Sequence, residues 1–198
     1  MALITIPAVA ARSMTLTLTR GDAALEFMDG GAAIVQSTKA LWLLEFPIKT
    51  QRLDDTRAWW AALVQLSKLG NTFKVEAPGW VQGAGYGGAD PLVNGGSQLG
   101  LSLVCDGVSN STTIGLTGDP IEVNGEYKVL TQDAVSDGAG NVTFNFEPAL
   151  RDSPTNNAVV DVKTPQITMR LLAPQAGVSG RIPDFYNLSV SAIEHFGP

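Results

Sequence analysis

The chain has 198 residues and 21 glycines, and its charged fraction of 16% lies below the roughly 25% of an average soluble domain. This low charge favours a surface covered by neighbouring subunits, and the alternative is a neutral β-protein with polar, uncharged faces. The net charge is −6, and the basic residues are scattered, which argues against a phosphate-binding surface and hence against direct recognition of DNA or RNA. One cysteine and one histidine exclude an intrachain disulfide and a zinc site built from four cysteines or from two cysteines and two histidines.

The N-terminal residues do not match a secretory signal. They lack a basic start, and Pro7 interrupts a very short apolar run. No stretch approaches the ~18 consecutive apolar residues of a membrane helix. We therefore expect a soluble protein that is made in the cytoplasm and has no membrane span.

The first predicted element is a strand over residues 13–20, where threonines alternate with apolar residues. Met14, Leu16 and Leu18 share one face, and the threonines form a face that is solvated or lies between subunits. Residues 24–28 are predicted to pair with this strand across residues 20–22, which read Arg-Gly-Asp. We interpret that tripeptide as a hairpin turn rather than as an integrin ligand.

A second strong strand is predicted from Leu41 to Ile48. Leu41 and Leu43 indicate burial on both faces at its start, and the apolar residues that share one face are Trp42, Leu44, Phe46 and Ile48. A helix is predicted over about residues 54–69, because two aspartates precede it, apolar residues including Leu69 follow at helical spacing, and Gly70 and Asn71 end it. Residues 73–77 alternate again and predict a returning strand.

Two tryptophans lie next to each other in this helix. Trp59 and Trp60 therefore point about 100° apart around the helix axis. One of them is predicted to lie in the core, and the other at the flank of the helix or at an interface. Trp60 is accordingly a candidate interface residue.

The glycine-rich stretch from residue 79 to residue 100 contains a formal G-x-G-x-x-G match at residues 83–88. That motif binds a pyrophosphate where a helix follows it, but here prolines and glycines interrupt the chain at once. We interpret the stretch as an extended loop that joins two modules. In a ring assembly, Trp80 and Tyr86 are its candidate interface residues.

The most informative part of the chain is residues 118–151. Asn124 and Gly125 separate two alternating segments, and this pair is the strongest short-range signal of a hairpin because both residues take positive φ. A second turn at residues 137–140 leads into a strand that Pro148 is predicted to end. The apolar face of that strand consists of Val142, Phe144 and Phe146.

The rest of the chain is predicted to continue as strands. Apolar residues between 159 and 171, including Ile167, Met169 and Leu171, are predicted to extend the same barrel. Residues 188–196 alternate again. They are predicted to return to the first sheet.

Two parts of the chain resemble one family. Residues 118–151 read G-D-x-I-x-V-N-G-E-x-K-V-L and then D-G-x-G-x-V-T-F-x-F-E-P-x-L-R, which resembles the C-terminal half of the distal tail proteins of long-tailed (siphovirus-type) bacteriophages. In that family the segment implies a β-barrel module that rests on a tail-ring domain. The strand–helix–strand run from Trp42 to Ala77 is similar in order and spacing to the helix-flanked β-sandwich of the tail-tube and baseplate-ring superfamily.

The sequence offers no recognisable catalytic set. His195 lies near the end of the chain and no G-x-S-x-G is present, while Cys105 follows apolar residues and is predicted to be a small buried hydrophobe. Asp133 and Asp137 lack the spacing of a calcium loop and are interpreted as turn residues. A carboxylate pair for glycoside hydrolysis stays open, but nothing singles one out. We predict no enzyme activity, no cofactor and no metal site.

These predictions combine into a mainly β chain with two domains. The first is a helix-flanked, tail-tube-like β-sandwich of residues 1–95 with 183–198, and the second is a small OB-like β-barrel of residues 96–182. The resemblance implies a structural virion protein that forms a hexameric ring at the distal end of a phage tail and contacts the tail-tube protein, the tip or hub protein and the fibres. Two alternatives are the tail-tube protein itself, which normally lacks a second barrel of this size, and a carbohydrate-binding β-sandwich module.

Overall fold

The structure, a computed structural model, describes residues 2–7, 14–26, 32–35, 40–50, 53–77, 83–173, 179–181 and 185–196. Within these residues the predicted mainly β fold is confirmed, with a single helix, α1 (Leu53–Leu66). The strands are β1 (Thr15–Arg20), β2 (Ala23–Glu26), β3 (Ala32–Val35), β4 (Ala40–Thr50), β5 (Phe73–Glu76), β6 (Leu92–Val93), β7 (Gly100–Asp106), β8 (Thr113–Gly115), β9 (Pro120–Val123), β10 (Glu126–Leu130), β11 (Ala134–Val135), β12 (Val142–Leu150), β13 (Val160–Asp161), β14 (Gln166–Leu171), β15 (Ser179–Arg181) and β16 (Phe185–Glu194).

The chain divides into two compact units. The first unit takes Met1–Thr19, Leu41–Pro78 and Ile167–Pro198, and the second takes Arg20–Ala40 and Gly79–Gln166. The second unit therefore begins and ends earlier than the predicted domain of residues 96–182. Two pairings account for this difference, because β6 pairs with β7 in one sheet and β14 pairs with β16 in the other.

The first unit is built on a sheet with the strand order β1-β4-β16-β14-β5. The C-terminal β16 pairs antiparallel with β4 from Tyr186↔Thr50 to Ile193↔Leu43, so the predicted return of the chain end to the first sheet is confirmed. The other side of β16 pairs with β14. The prediction that Ile167, Met169 and Leu171 extend the barrel is wrong, because an alternating pattern identifies a strand without identifying its partner.

Alternate residues of β4 form the core of the first unit, as predicted. The buried side chains are Trp42, Leu44, Phe46 and Ile48, and full burial of such a side chain contributes roughly 1.5–3 kcal/mol. The Phe46 ring meets Trp59 of α1 edge-on, with ring centroids 6.0 Å apart and an interplanar angle of 68°. Helix and sheet are thus joined by an aromatic pair in a favourable geometry.

The predicted hairpin between residues 13–20 and 24–28 is wrong. In the structure β1 lies beside β4, whereas β2 pairs with β3 from Ala23↔Val35 to Glu26↔Ala32. The alternation of β1 was predicted correctly, since Leu16 and Leu18 are half-buried and the threonines between them are exposed. The Arg-Gly-Asp tripeptide therefore connects two strands that do not pair with each other, and its interpretation as a hairpin turn is wrong.

The second unit contains a six-stranded sheet in the order β13-β9-β10-β12-β7-β6. Backbone hydrogen bonds close this sheet into a small barrel, because Val93 N–H donates to the Ala158 carbonyl at 2.9 Å and Val160 N–H donates to the Pro91 carbonyl at 2.9 Å. Closure leaves the first and last strands of the sheet with paired backbone groups. Buried apolar side chains, among them Leu103, Phe144 and Phe146, fill the interior.

The hairpin predicted at Asn124 and Gly125 is confirmed. Their φ angles are 53° and 75°, and β9 pairs with β10 directly on either side of them. The prediction that Pro148 ends the following strand is wrong, because β12 continues to Leu150. The register between β12 and β7 shifts between Asn145 and Leu150, and a proline is tolerated at such an irregularity because no regular ladder bond is lost.

Candidate interface

The adjacent tryptophans of α1 lie in two environments, as predicted. Trp59 is 5% exposed and belongs to the core, whereas Trp60 is 37% exposed. The helix is shorter than predicted, because it ends at Leu66. Gly70 has a φ of 89°, but it lies four residues beyond that end, so the prediction that Gly70 and Asn71 end the helix is wrong. Leu69 therefore lies outside the helix and is exposed, contrary to its predicted place on the apolar face.

Trp60, Ala61 and Val64 form an exposed apolar strip along α1, which we call the helix strip. Trp60 and Val64 lie one helical turn apart on the same face. Arg57 of α1 and Lys68, which follows the end of the helix, are also exposed. Exposed aromatic and apolar side chains beside an arginine are typical of protein interfaces.

A small pocket lies at the C-terminal end of α1. Its volume is about 60 Å³, and its lining includes Leu66, Leu69, Asn71 and Arg170. Sites for small molecules usually measure about 300–1,000 Å³. The pocket is therefore too small to hold a typical organic ligand.

The second candidate interface residue, Tyr86, is buried inside its own unit. Only 7% of it is exposed, it belongs to the apolar core of the barrel, and its hydroxyl donates to the Ala89 carbonyl at 2.8 Å. A Cβ atom on Gly88 would clash with the phenol of Tyr86. The glycine pattern at residues 83–88 therefore allows the chain to fold around a tyrosine side chain.

The three candidate interface residues do not form one surface within either unit. Trp60 belongs to the first unit and Tyr86 to the second, and Trp80 lies outside the residues that the structure describes. Trp60 is thus the exposed member of the set. Of the predicted interface, the described residues therefore leave the helix strip as the exposed candidate surface.

The barrel interior contains a buried ion pair that the sequence analysis missed. Lys128 Nζ donates to Glu126 Oε2 at 2.6 Å and to the Ala149 carbonyl at 2.8 Å. The same carboxylate accepts the backbone N–H groups of Arg151 and Asp152 at 3.2 Å. The side chains of Lys128 and Glu126 are only 1% and 4% exposed, so each buried charge compensates the other. The sequence did contain a signal for this pair: Glu126 and Lys128 are two residues apart in β10, and residues two apart in a strand share a face.

Asp119 holds the glycine-rich segment against the barrel. Its carboxylate accepts the N–H of Gly83 at 2.9 Å and the N–H of Leu116 at 2.9 Å, and the residue is 6% exposed. A buried carboxylate that accepts two backbone donors satisfies both itself and the chain around it. Asp119 therefore has a structural role.

Asp133 and Asp137 have the turn roles that their sequence context predicted. Thr117 donates to Asp133 through both its backbone N–H and its hydroxyl, each at 2.7 Å, and these bonds lower the pKa of Asp133. Asp137 accepts side-chain and backbone donors of Asn141 and the N–H of Ala139, which lower its pKa. In the described part of the chain, no three metal-ligating side chains cluster together.

The single cysteine is fully buried, as predicted. Burial, with a smaller contribution from the charge of Asp106, raises the pKa of the Cys105 thiol to about 12. The thiol is therefore protonated at neutral pH and is a poor nucleophile. His195 belongs to the other unit, where its backbone N–H donates to the Thr168 carbonyl.

The described residues include no helix that has both the length and the apolar character needed to cross a membrane. A scan against protein-family models finds no model that matches this chain. A search of curated proteins finds no match either. The function must therefore be inferred from the residues of this chain and from their arrangement.

Proposed function

We propose that this protein is a structural component of a phage virion, a distal tail protein that forms a homohexameric ring in the baseplate. In this role it joins the tail tube to the tip and to the receptor-binding apparatus, and it acts by assembly rather than by catalysis. The chain is made in the cytoplasm of the host and ends in the tail of the virion.

The observation that carries the proposal is the order of elements in one chain. The run that resembles the tail-ring domain takes the form β4–α1–β5, in a sheet that the C-terminal β16 enters. The segment that resembles the second module takes the form of the hairpin β9–β10 and the strand β12 in a small barrel. This order of elements supports the proposal.

The helix strip supports an assembly role because its apolar side chains are available for contact. Trp60 is 37% and Val64 is 48% exposed. Exposed aromatic and apolar side chains of this kind are typical of the core of a protein interface.

The described aromatic side chains of the second unit do not support sugar binding by the barrel. A sugar-binding surface commonly presents an aromatic ring to solvent, against which the sugar stacks. In the described residues of this unit the aromatic side chains are buried: Tyr86, Tyr127, Phe144 and Phe146. These rings serve packing within the barrel and its surroundings.

The proposal is tested by the mass and the shape of the purified protein. Sedimentation velocity and negative-stain electron microscopy should show a closed ring whose mass is about six times that of the 20.8 kDa chain. The double variant Trp60→Asp/Val64→Asp should weaken the ring. The control variant Val135→Asp, at a residue that is also exposed, should leave the ring intact. A strict monomer that binds glycans would overturn the proposal.

A further inference from the structure

The second unit contains two pairs of residues in which an asparagine precedes a glycine, Asn94-Gly95 and Asn124-Gly125. Such a pair is prone to deamidation, because glycine has no side chain that keeps its backbone nitrogen away from the preceding side-chain amide. Both asparagines are exposed, so water reaches both. Any difference in reactivity between the two pairs therefore comes mainly from the fold.

Deamidation of such a pair has two steps and needs only water as a co-reactant. The glycine nitrogen gives its proton to solvent and attacks Cγ of the asparagine, the bond from Cγ to the side-chain nitrogen breaks, and ammonia leaves with a proton from solvent. Water then opens the five-membered imide to aspartate or to isoaspartate, in which the main chain passes through Cγ. The first step requires a glycine N–H without a hydrogen bond and an asparagine backbone that can rotate.

The fold meets neither requirement at Asn94-Gly95. The attacking atom, the backbone nitrogen of Gly95, donates to Asn156 Oδ1 at 2.7 Å. The N–H of Asn94 donates to the Val104 carbonyl at 3.0 Å, and its carbonyl accepts Gln98 Nε2 at 2.9 Å. Attack on Asn94 therefore requires several hydrogen bonds to break, and each of them stabilises the unreacted backbone.

The fold leaves the backbone of Asn124-Gly125 without such bonds. These two residues form the tip of the hairpin β9–β10, where Val123 pairs with Glu126, and both are exposed. Within the described part of the chain, neither of the two makes a hydrogen bond. Asn124 has a φ of 53° and must rotate before attack, but this rotation breaks no hydrogen bond of the tip residues and belongs to the local openings that cost least.

We infer that Asn124 is a deamidation site of the folded protein and that the fold protects Asn94. Both products add a negative charge at the hairpin tip, and isoaspartate also adds a carbon atom to its main chain. A two-residue tip cannot accommodate a longer main chain and keep its strands in register. The change lies two residues from Glu126, the buried partner of Lys128. The reaction occurs within one chain and does not depend on the proposed assembly.

The test follows both asparagines in one sample of the full-length wild type. The protein is incubated in mildly alkaline buffer, either folded or in urea, and its aspartyl and isoaspartyl peptides are separated by chromatography and identified by mass spectrometry. In the folded protein we expect Asn124 to react at least about tenfold faster than Asn94, because several hydrogen bonds hold only the latter. In urea the two rates should converge, since a glycine follows each asparagine.

The variant Asn156→Ala tests the cause of the protection, because it removes the acceptor of the Gly95 N–H. Asn156 is exposed, so the substitution leaves the core intact, and circular dichroism checks the fold. We expect faster deamidation of Asn94 and an unchanged rate at Asn124, which is the internal control.

The aged wild type provides a second readout. Its isoaspartyl form should unfold at a lower urea concentration than the variant Asn124→Asp. That variant has the same added charge on a normal main chain, and aspartate tolerates the left-handed conformation of the tip.

Faster reaction of Asn124 in the folded protein, together with similar rates in urea, supports the site. Equal rates in the folded protein, or a faster reaction of Asn94, overturn it. A difference that persists unchanged in urea also overturns it, because the cause is then the local sequence and not the fold. An unchanged rate of Asn94 in folded Asn156→Ala overturns the protection by Asn156.

Discussion

The ion pair between Glu126 and Lys128 allows the energetics of the barrel to be tested most sharply. Replacing Lys128 with Met keeps most of the side-chain volume and removes the positive charge. The remaining carboxylate of Glu126 still accepts the N–H groups of Arg151 and Asp152, but it loses the ammonium group at 2.6 Å. An acidic charge is then left in the barrel interior without its counter-charge.

Loss of one partner from such a pair costs about 3–5 kcal/mol, because the other charge stays buried without compensation. In a chain of this length the loss corresponds to a decrease in Tm of about 6–20 °C. The double variant Glu126→Gln/Lys128→Met should lose less free energy of unfolding than the single variant Lys128→Met. It leaves no unpaired charge from this ion pair, and the glutamine oxygen can still accept the backbone N–H groups.

The measurement is urea unfolding followed by far-ultraviolet circular dichroism, together with calorimetry. Lys163→Met is the matched control, because Lys163 pairs with Asp90 at 3.2 Å while 37% of its side chain is exposed, and exposed pairs contribute only about 0–1 kcal/mol. The reasoning is refuted if Lys128→Met costs no more than Lys163→Met, or if the double variant is less stable than Lys128→Met.

Three further predictions concern single positions. Asp119→Asn should lower the free energy of unfolding by about 1–3 kcal/mol, because the amide cannot accept both backbone bonds with the strength of a carboxylate; a change below the error of a urea titration would contradict this. Gly88→Ala should lower the free energy of unfolding by about 1–3 kcal/mol, because it forces the Tyr86 ring to move. A fall in the midpoint of urea unfolding is the readout. Cys105 should resist alkylation at pH 8 in the folded protein and react once the chain is unfolded. Because folding raises the pKa of this thiol from 9.0 to about 12, the stability that depends on its proton is present below pH 9 and is lost as the pH rises towards 12.

Local patterns predicted the secondary structure well, because they depend on neighbours in the sequence. The positive φ that Asn124 and Gly125 tolerate fixed the hairpin turn, and the adjacency of Trp59 and Trp60 fixed their divergence around the helix. The alternation of Trp42, Leu44 and Phe46 likewise identified the buried face of β4.

Strand partners were predicted less well, because they depend on residues far apart in the chain. Nothing in the alternation of β14 distinguishes a strand of the barrel from a strand beside β16, and nothing near residues 20–22 shows that β1 prefers β4 over β2. Tyr86 was expected at an interface because residues 79–100 were interpreted as a loop that contacts a neighbouring subunit. Its burial depends on the closed barrel, and the barrel cannot be predicted from residues 79–100 alone.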